Sequence, residues 1–441
     1  MKFREVVLVV FLILAGFVFF QFKTGHWNID GDWNWDWPGG FGPFSREVTA
    51  EETRTIEAPL PAVLEIENGH GWVEVRAADQ ETIQLTFKKV AWRRTEEEAK
   101  EIVDRLKYTL TTAADKLVLA TNRDDFARKS FETAFILTVP RGMSVRVGNS
   151  YGIVRVDGVA AATIRNSHGE VFATDVKGSC GIETSYEDVE VQRITGECRI
   201  TDRNGDVRAG SVGGDLWIET SYAEVDVEDA GGKADIRGSN VDVDARRVAG
   251  AVTVDTSYEK VYLADVGPAE VTARNTAVTA DGVRGDLKVQ TSYEPVQADR
   301  VQGNLRISAE NSAVTADGIG GAKIEVATSY EKVTLAGFSA EVTVSNRNGD
   351  VSLGPLDLKH GIDVRNEYGE IQLGWPDGES ARVEAQAKGG SVHWGLTEKP
   401  DVDQTNGTSL VKAFTANAAG PLVYLSTSYD DIRIEPVARK F

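Results

Sequence analysis

SYEDVEVQRITGECRITDRNGDVRAGSVGGDLWIETSYAEVDVED, residues 185–229, states one pattern three times. Tyr186, Asn204 and Tyr222 mark the copies. Val189, Val207 and Val225 follow three positions later, and Val191, Ala209 and Val227 two positions after those. Ile182, Ile200 and Ile218 stand four positions before each mark, and Cys180, Cys198 and Leu216 two before those. Apolar residues at alternate positions are the signature of a strand with one face inward. Each copy therefore supplies two short strands, and copies about 18 residues apart imply coils stacked on one another.

The series extends both ways. Its marks are Tyr151, His168, Tyr186, Asn204, Tyr222, Asn240, Tyr258, Asn275, Tyr293, Asn311, Tyr330, Asn348, Tyr368 and Gly389, with Tyr429 closing it after an insertion at about 395–420. In the coil of Asn240 the two forward columns are read as Val241 and Val243. A fifth apolar column, eight after the mark, holds Val159, Val176, Ile194 and Val212. Gly158, Gly178, Gly196, Gly250, Gly285 and Gly303 mark the turn between the strands. One coil buries too few side chains to offset the ordering of its backbone, so neighbours must supply the rest. Roughly 15 rungs at about 4.8 Å each predict a rod near ~70 Å long.

Four segments follow from this. Val6 to Phe22 is uncharged, is preceded by Lys2 and Arg4, and is just long enough to span a bilayer as a helix. Residues 1–23 thus read as a signal anchor, with the amino terminus cytoplasmic and the rest outside the membrane. No small-residue cleavage site and no lipoprotein cysteine follows it. Residues 24–44, with Trp27, Trp33, Trp35 and Trp37 among Gly, Asp and Asn, read as a juxtamembrane tether. Residues 45–143 read as strands around one helix. Thr95 and Glu98 form its capping box, and Ala99, Ile102, Val103 and Leu106 its apolar stripe. This helix is expected to cap the first coil. Residues 144–441 are the solenoid.

Composition narrows function. Acidic residues outnumber basic ones 68 to 48, for a net charge of −20. Such a surface repels phosphate backbones, which argues against nucleic acid as a partner. It leaves cations, neutral glycans or basic proteins.

The strand-rich opening with its short helix, the entry LTVPRGMSVRV (Leu137 to Val147), and the NGDV and SYE-x-V coil signatures resemble a bacterial family. These are β-strand-repeat domains of unknown function known as "putative adhesins". The resemblance spans about Ser45 to the end. It implies a single-chain, right-handed β-helix in the cell envelope and carries no established catalytic residues.

Candidate sites were weighed in pairs. Tyr151, Tyr186, Tyr222, Tyr258, Tyr293, Tyr330, Tyr368 and Tyr429 recur on alternate coils, about 9.6 Å apart. Packing, with each ring sealing a corner over the small residue of the next coil, is the favoured reading; a stripe that stacks on an extended glycan is the other. Asp281, Asp299 and Asp317, with Asp157 in the same column, suit a hard cation or, more simply, turn capping. Cys180 and Cys198 are adjacent in one inward column, as a disulfide or as buried thiols. Gly148-Asn149-Ser150-Tyr151-Gly152 matches the nucleophile-elbow spacing, but that motif needs a strand-to-helix turn and this is the first tyrosine coil. His26, His70, His168, His360 and His393 form no metal-ligand spacing. No cofactor is expected. The pattern predicts a non-enzymatic, membrane-anchored envelope scaffold or adhesin-like protein that binds a glycan, the cell wall or an envelope protein. A stress-sensing accessory acting through a partner membrane protein is the alternative. A polysaccharide-degrading β-helix is the third reading, and only the insertion near Glu398 to Asn417 could form its cleft.

Overall fold

A computed structural model describes residues 46–113, 115–126, 130–397, 400–405, 408–414 and 420–436. The expected anchor and the tryptophan tether lie outside them. Among the described residues, no helix is long and apolar enough to cross a membrane.

The chain is an all-β solenoid of about 13 coils. A strand such as Cys180–Glu183 lies in one sheet, the chain turns at the tyrosine position, and Val189–Ile194 lies in the facing sheet. Successive coils pair parallel and in register. Ile182, Ile200 and Ile218 align across one sheet, and Val189, Val207 and Val225 across the other. These columns are buried and form one continuous core between the sheets. The coil of Asn240 keeps the register of its neighbours. Val243 and Ala245, three and five positions after the mark, oppose Val225 and Val227, so the expected pair Val241 and Val243 stands two residues too early. A shift of two residues keeps the same face inward, so both readings bury the same side of the strand.

The far turn depends on a missing side chain. Gly196, Gly232 and Gly250 stand in one column, and a Cβ there would come within 2.5–2.6 Å of the carbonyl oxygen of the preceding coil. The backbones approach that closely because Gly196 N–H donates to Gly178 O at 3.2 Å, and Gly250 N–H to Gly232 O at 3.0 Å.

Residues before the first tyrosine already form a coil. Val63–Glu67 pairs with Ser144–Gly148, and Val73–Ala78 with Val154–Asp157, both parallel. Beyond them, antiparallel strands Ile83–Arg93 and Arg46–Ile56 end one sheet, and Tyr108–Ala113 ends the other. Two of these elements, Arg46–Ile56 and Lys116–Thr121, were not anticipated. The helix α1, Glu96–Arg105, begins at Thr95, whose Oγ1 accepts the Glu98 N–H at 3.2 Å. It packs beside the main core, in a separate cluster with Ala91, Phe126 and Phe131. The end of the core itself is closed by rings: Phe87 lies 5.0 Å from Phe135 and 5.3 Å from Tyr108. The helix therefore braces the outermost strands rather than capping the core.

The carboxyl end is threaded out of order. Ile362–Arg365 pairs not with Arg382–Lys388, next in sequence, but with Leu422–Thr427, and that strand pairs in turn with Arg382–Lys388. In the other sheet Ile432–Pro436 lies between Ile371–Trp375 and Val392–Trp394. The coil of Gly389 is thus outside the coil of Tyr429. The insertion, expected to be a loop, adds the antiparallel strands Asp401–Thr405 and Thr408–Phe414 at the sheet edge.

Candidate functional site

The turn between the facing sheets is built on a column that the sequence reading passed over, two residues before each mark. It is polar yet buried: Asn149, Asn166, Asp202, Thr256, Asn346 and Asn366 are at most 7% exposed. Each asparagine locks two turns at once. Asn166 Nδ2 donates to Gly169 O in its own coil at 2.8 Å and to Gly152 O in the preceding coil at 2.9 Å. Asn366 repeats this with Gly369 O at 2.9 Å and Gly349 O at 2.8 Å. Threonines reach one coil at most: Thr291 Oγ1 donates to Thr276 O at 2.8 Å, and the buried Thr184 Oγ1 has no partner in the protein. Buried amide nitrogens bonded in this way fix the turn and aim the residue two places on toward solvent.

That residue is the tyrosine. All eight are exposed, from 44% at Tyr368 to 71% at Tyr222. The stripe has two regimes. At the ends, rings stack along the rod. His70 lies 5.3 Å from Tyr151, Tyr151 4.6 Å from His168, and His168 4.7 Å from Tyr186. Tyr368 lies 4.7 Å from Tyr429. His168 is thus no small spacer but a ring, and His70 carries the stack into the coil before the first tyrosine. The histidines were tested as metal ligands and missed as ring fillers.

In the middle, asparagine replaces histidine and the backbone changes. Tyr222, Tyr258 and Tyr293 take φ of 55°, 68° and 66°, and Asn240, Asn275 and Asn311 between them take 57°, 50° and 56°. Asparagine visits this left-handed region readily, whereas a bulky ring there costs roughly 1–2 kcal/mol. These three tyrosines are 63–71% exposed and, like Tyr330, make no ring contact. Packing, the reading favoured from sequence, does not account for them.

The remaining candidates separate from this edge. Asp281, Asp299 and Asp317 do align in one column. Arg300 Nε donates to Asp281 at 2.6 Å, and Gln297 Nε2 to Asp299 at 2.6 Å, so much of their charge is already answered. Among the described residues, no group of three or more His, Cys, Asp or Glu is arranged to hold a metal. Asp157 shares the column, and burial followed by the neighbouring Asp175 pushes its carboxyl up. Cys180 and Cys198 are directly opposed, buried, and both thiols. A hydrogen bond that the Cys198 thiol donates to Cys180, together with burial, holds it well above the usual range. Gly148-Asn149-Ser150-Tyr151-Gly152 joins strand to strand, with no helix after it. His393 Nε2 lies 2.9 Å from Asp431 Oδ2, and His26 is outside the described residues.

The molecule is thus a parallel β-solenoid with one aromatic edge. Residues 237–435 match the family model of the Toastrack DUF4097 domain, whose function is unknown. The match agrees with the resemblance to the adhesin-type repeat family. No curated protein matches the sequence. A crystal structure described as "a putative cell adhesion protein from Clostridium sporogenes" is similar at 8% identity, over 88% of this chain and 100% of that one. Its TM-score of 0.18 is too low to carry an argument.

Proposed function

We propose that this chain is a non-enzymatic binding rod of the bacterial envelope, anchored by residues 6–22, with the tyrosine edge as its contact surface. The observation that carries this reading is the conformation of Tyr222, Tyr258 and Tyr293. A column that accepts asparagine at lower strain holds tyrosine on alternate coils, at a conformational cost and without ring contacts to offset it. Residues kept at the expense of the fold are characteristic of sites that meet a partner. The aromatic ring with its hydroxyl is also the side chain most used at contact surfaces. The coils are taken as right-handed, as nearly all parallel crossovers are.

The test is retention of the rod, residues 46–441, on purified cell wall and on whole envelope extract, compared with a Tyr222→Asn/Tyr258→Asn/Tyr293→Asn variant. Saturable retention that drops at least about tenfold in the variant supports the reading. Equal retention of a well-folded variant defeats it, and cleavage of the retained polymer would show an enzyme instead.

A further inference from the structure

We infer that the open intervals between Tyr222, Tyr258, Tyr293 and Tyr330 are slots for planar cationic side chains, arginines of a basic extended partner. This rests on the tyrosine edge being a contact surface and names what it contacts.

The chain itself supplies the template. Two rungs of a solenoid span about 9.6 Å. Between Tyr151 and Tyr186 that interval is filled by one planar ring, His168, at 4.6 Å and 4.7 Å, with interplanar angles of 12° and 21°. At Tyr151 and Tyr186, whose backbone lies outside the left-handed region, the ring faces are thus directed along the rod, and the interval between them holds one flat group. From Tyr222 to Tyr330 the corresponding residues are Asn240, Asn275 and Asn311, and no ring lies between the tyrosines. Two of these asparagines are tied down toward the next coil. Asn311 Oδ1 accepts from Ser329 Oγ at 2.9 Å, and Asn275 Oδ1 from Ser292 Oγ at 3.3 Å. They floor the intervals.

Charge selects the occupant. Glu259, Glu294 and Glu331 directly follow the tyrosines, and Glu310 precedes Asn311; Arg274, before Asn275, is the one opposing charge in these positions. The chain as a whole carries −20. An anionic planar group is disfavoured there, and a neutral sugar would leave the carboxylates unused. A guanidinium is flat, stacks on aromatic faces and donates to carboxylates at its edge. Lysine offers the charge without the plane.

The experiment titrates the rod with three probes of equal length: an arginine-rich peptide, a lysine-rich peptide of the same charge, and a neutral chitin oligosaccharide. The arginine peptide should bind at least about fivefold more tightly than the lysine peptide, the margin of one well-placed stacking contact. Asn240→His, Asn275→His and Asn311→His combined, which copy His168 and suit left-handed backbone, should fill the three slots and erase that margin. An unchanged circular dichroism spectrum and unfolding midpoint report that the variant is folded. Equal binding of the two peptides, a margin that survives the histidines, or preference for the oligosaccharide overturns the inference. In each of those cases, loss of envelope retention in the tyrosine variant would still uphold the contact surface.

Discussion

Tyr429 stacks face to face on Tyr368, with ring centroids 4.7 Å apart and planes within 7°. The contact exists because Leu422–Thr427 enters between Ile362–Arg365 and Arg382–Lys388, so the last strands in sequence form an interior rung. A chain that ended one coil earlier would leave Ile362–Arg365 and Ile371–Trp375 with bare parallel edges.

This threading makes the carboxyl terminus structural. Truncation after Gly420 should unfold the last coils and lower the unfolding midpoint, because it removes Val423, Leu425, Ile432 and Ile434, all 0% exposed, from the core. Four such side chains represent roughly 6–12 kcal/mol of burial as an upper bound. Thermal unfolding and limited proteolysis of the truncated rod check it. Unchanged protection at 362–394 would contradict the order of rungs.

The glycine column should be intolerant of any side chain. Gly250→Ala places a Cβ 2.5 Å from Gly232 O, too close for either backbone to remain in place. A loss of at least about 2–3 kcal/mol, measured by denaturant unfolding, is expected. Gly142→Ala, whose Cβ meets nothing within 4 Å, should cost little by comparison.

The asparagine ladder should be equally sensitive. Asn366→Ala removes the bonds from its Nδ2 to the carbonyls of Gly349 and Gly369, which keep Asn346 Nδ2 and Thr427 Oγ1 as their other donors. Each hydrogen bond lost in this way costs about 0.5–1.5 kcal/mol. A drop in that range in the unfolding free energy is the expected outcome, and a neutral variant would remove the ladder from the account.

Acid should stabilise one flank of the rod. Burial raises the Glu170 carboxyl, helped by Asp188 and Glu187, and burial with Asp226 and Asp206 raises Glu224. A carboxyl whose folded value is raised favours the folded state when protonated, and that contribution fades as pH rises through the folded value. Glu170→Gln should therefore raise the melting temperature at pH 7 and leave it unchanged near the ordinary carboxylate range of about 4. Asp175 opposes the trend, since its bond to Arg193 lowers it.

Much of the coil was legible because its core is written at period two in aliphatic columns: Val189, Val207 and Val225 can be counted without a structure. The turn was not, because its buried column mixes Asn, Asp and Thr and so has no apolar signature, although Asn149, Asn166, Asn346 and Asn366 share a position. The register of Val243 was legible, since it stands three positions after Asn240 as Val225 does after Tyr222. The late entry of Leu422–Thr427 was hidden because sequence order and rung order agree throughout the coils from Ser144 to Trp375. At the edge, the tyrosines were found, but not their exposure or backbone conformation. Exposure and φ decide between packing and contact, and neither is visible in a column of letters.

The central claim is that Tyr222, Tyr258 and Tyr293 serve a partner at the expense of the fold. The most direct test is equilibrium unfolding of the rod with all three changed to asparagine, the residue that the alternate coils already carry at the same φ. The account predicts a gain, up to about 1 kcal/mol per position, as the left-handed strain is relieved. A loss of stability would mean that the rings were packing all along, and would contradict it.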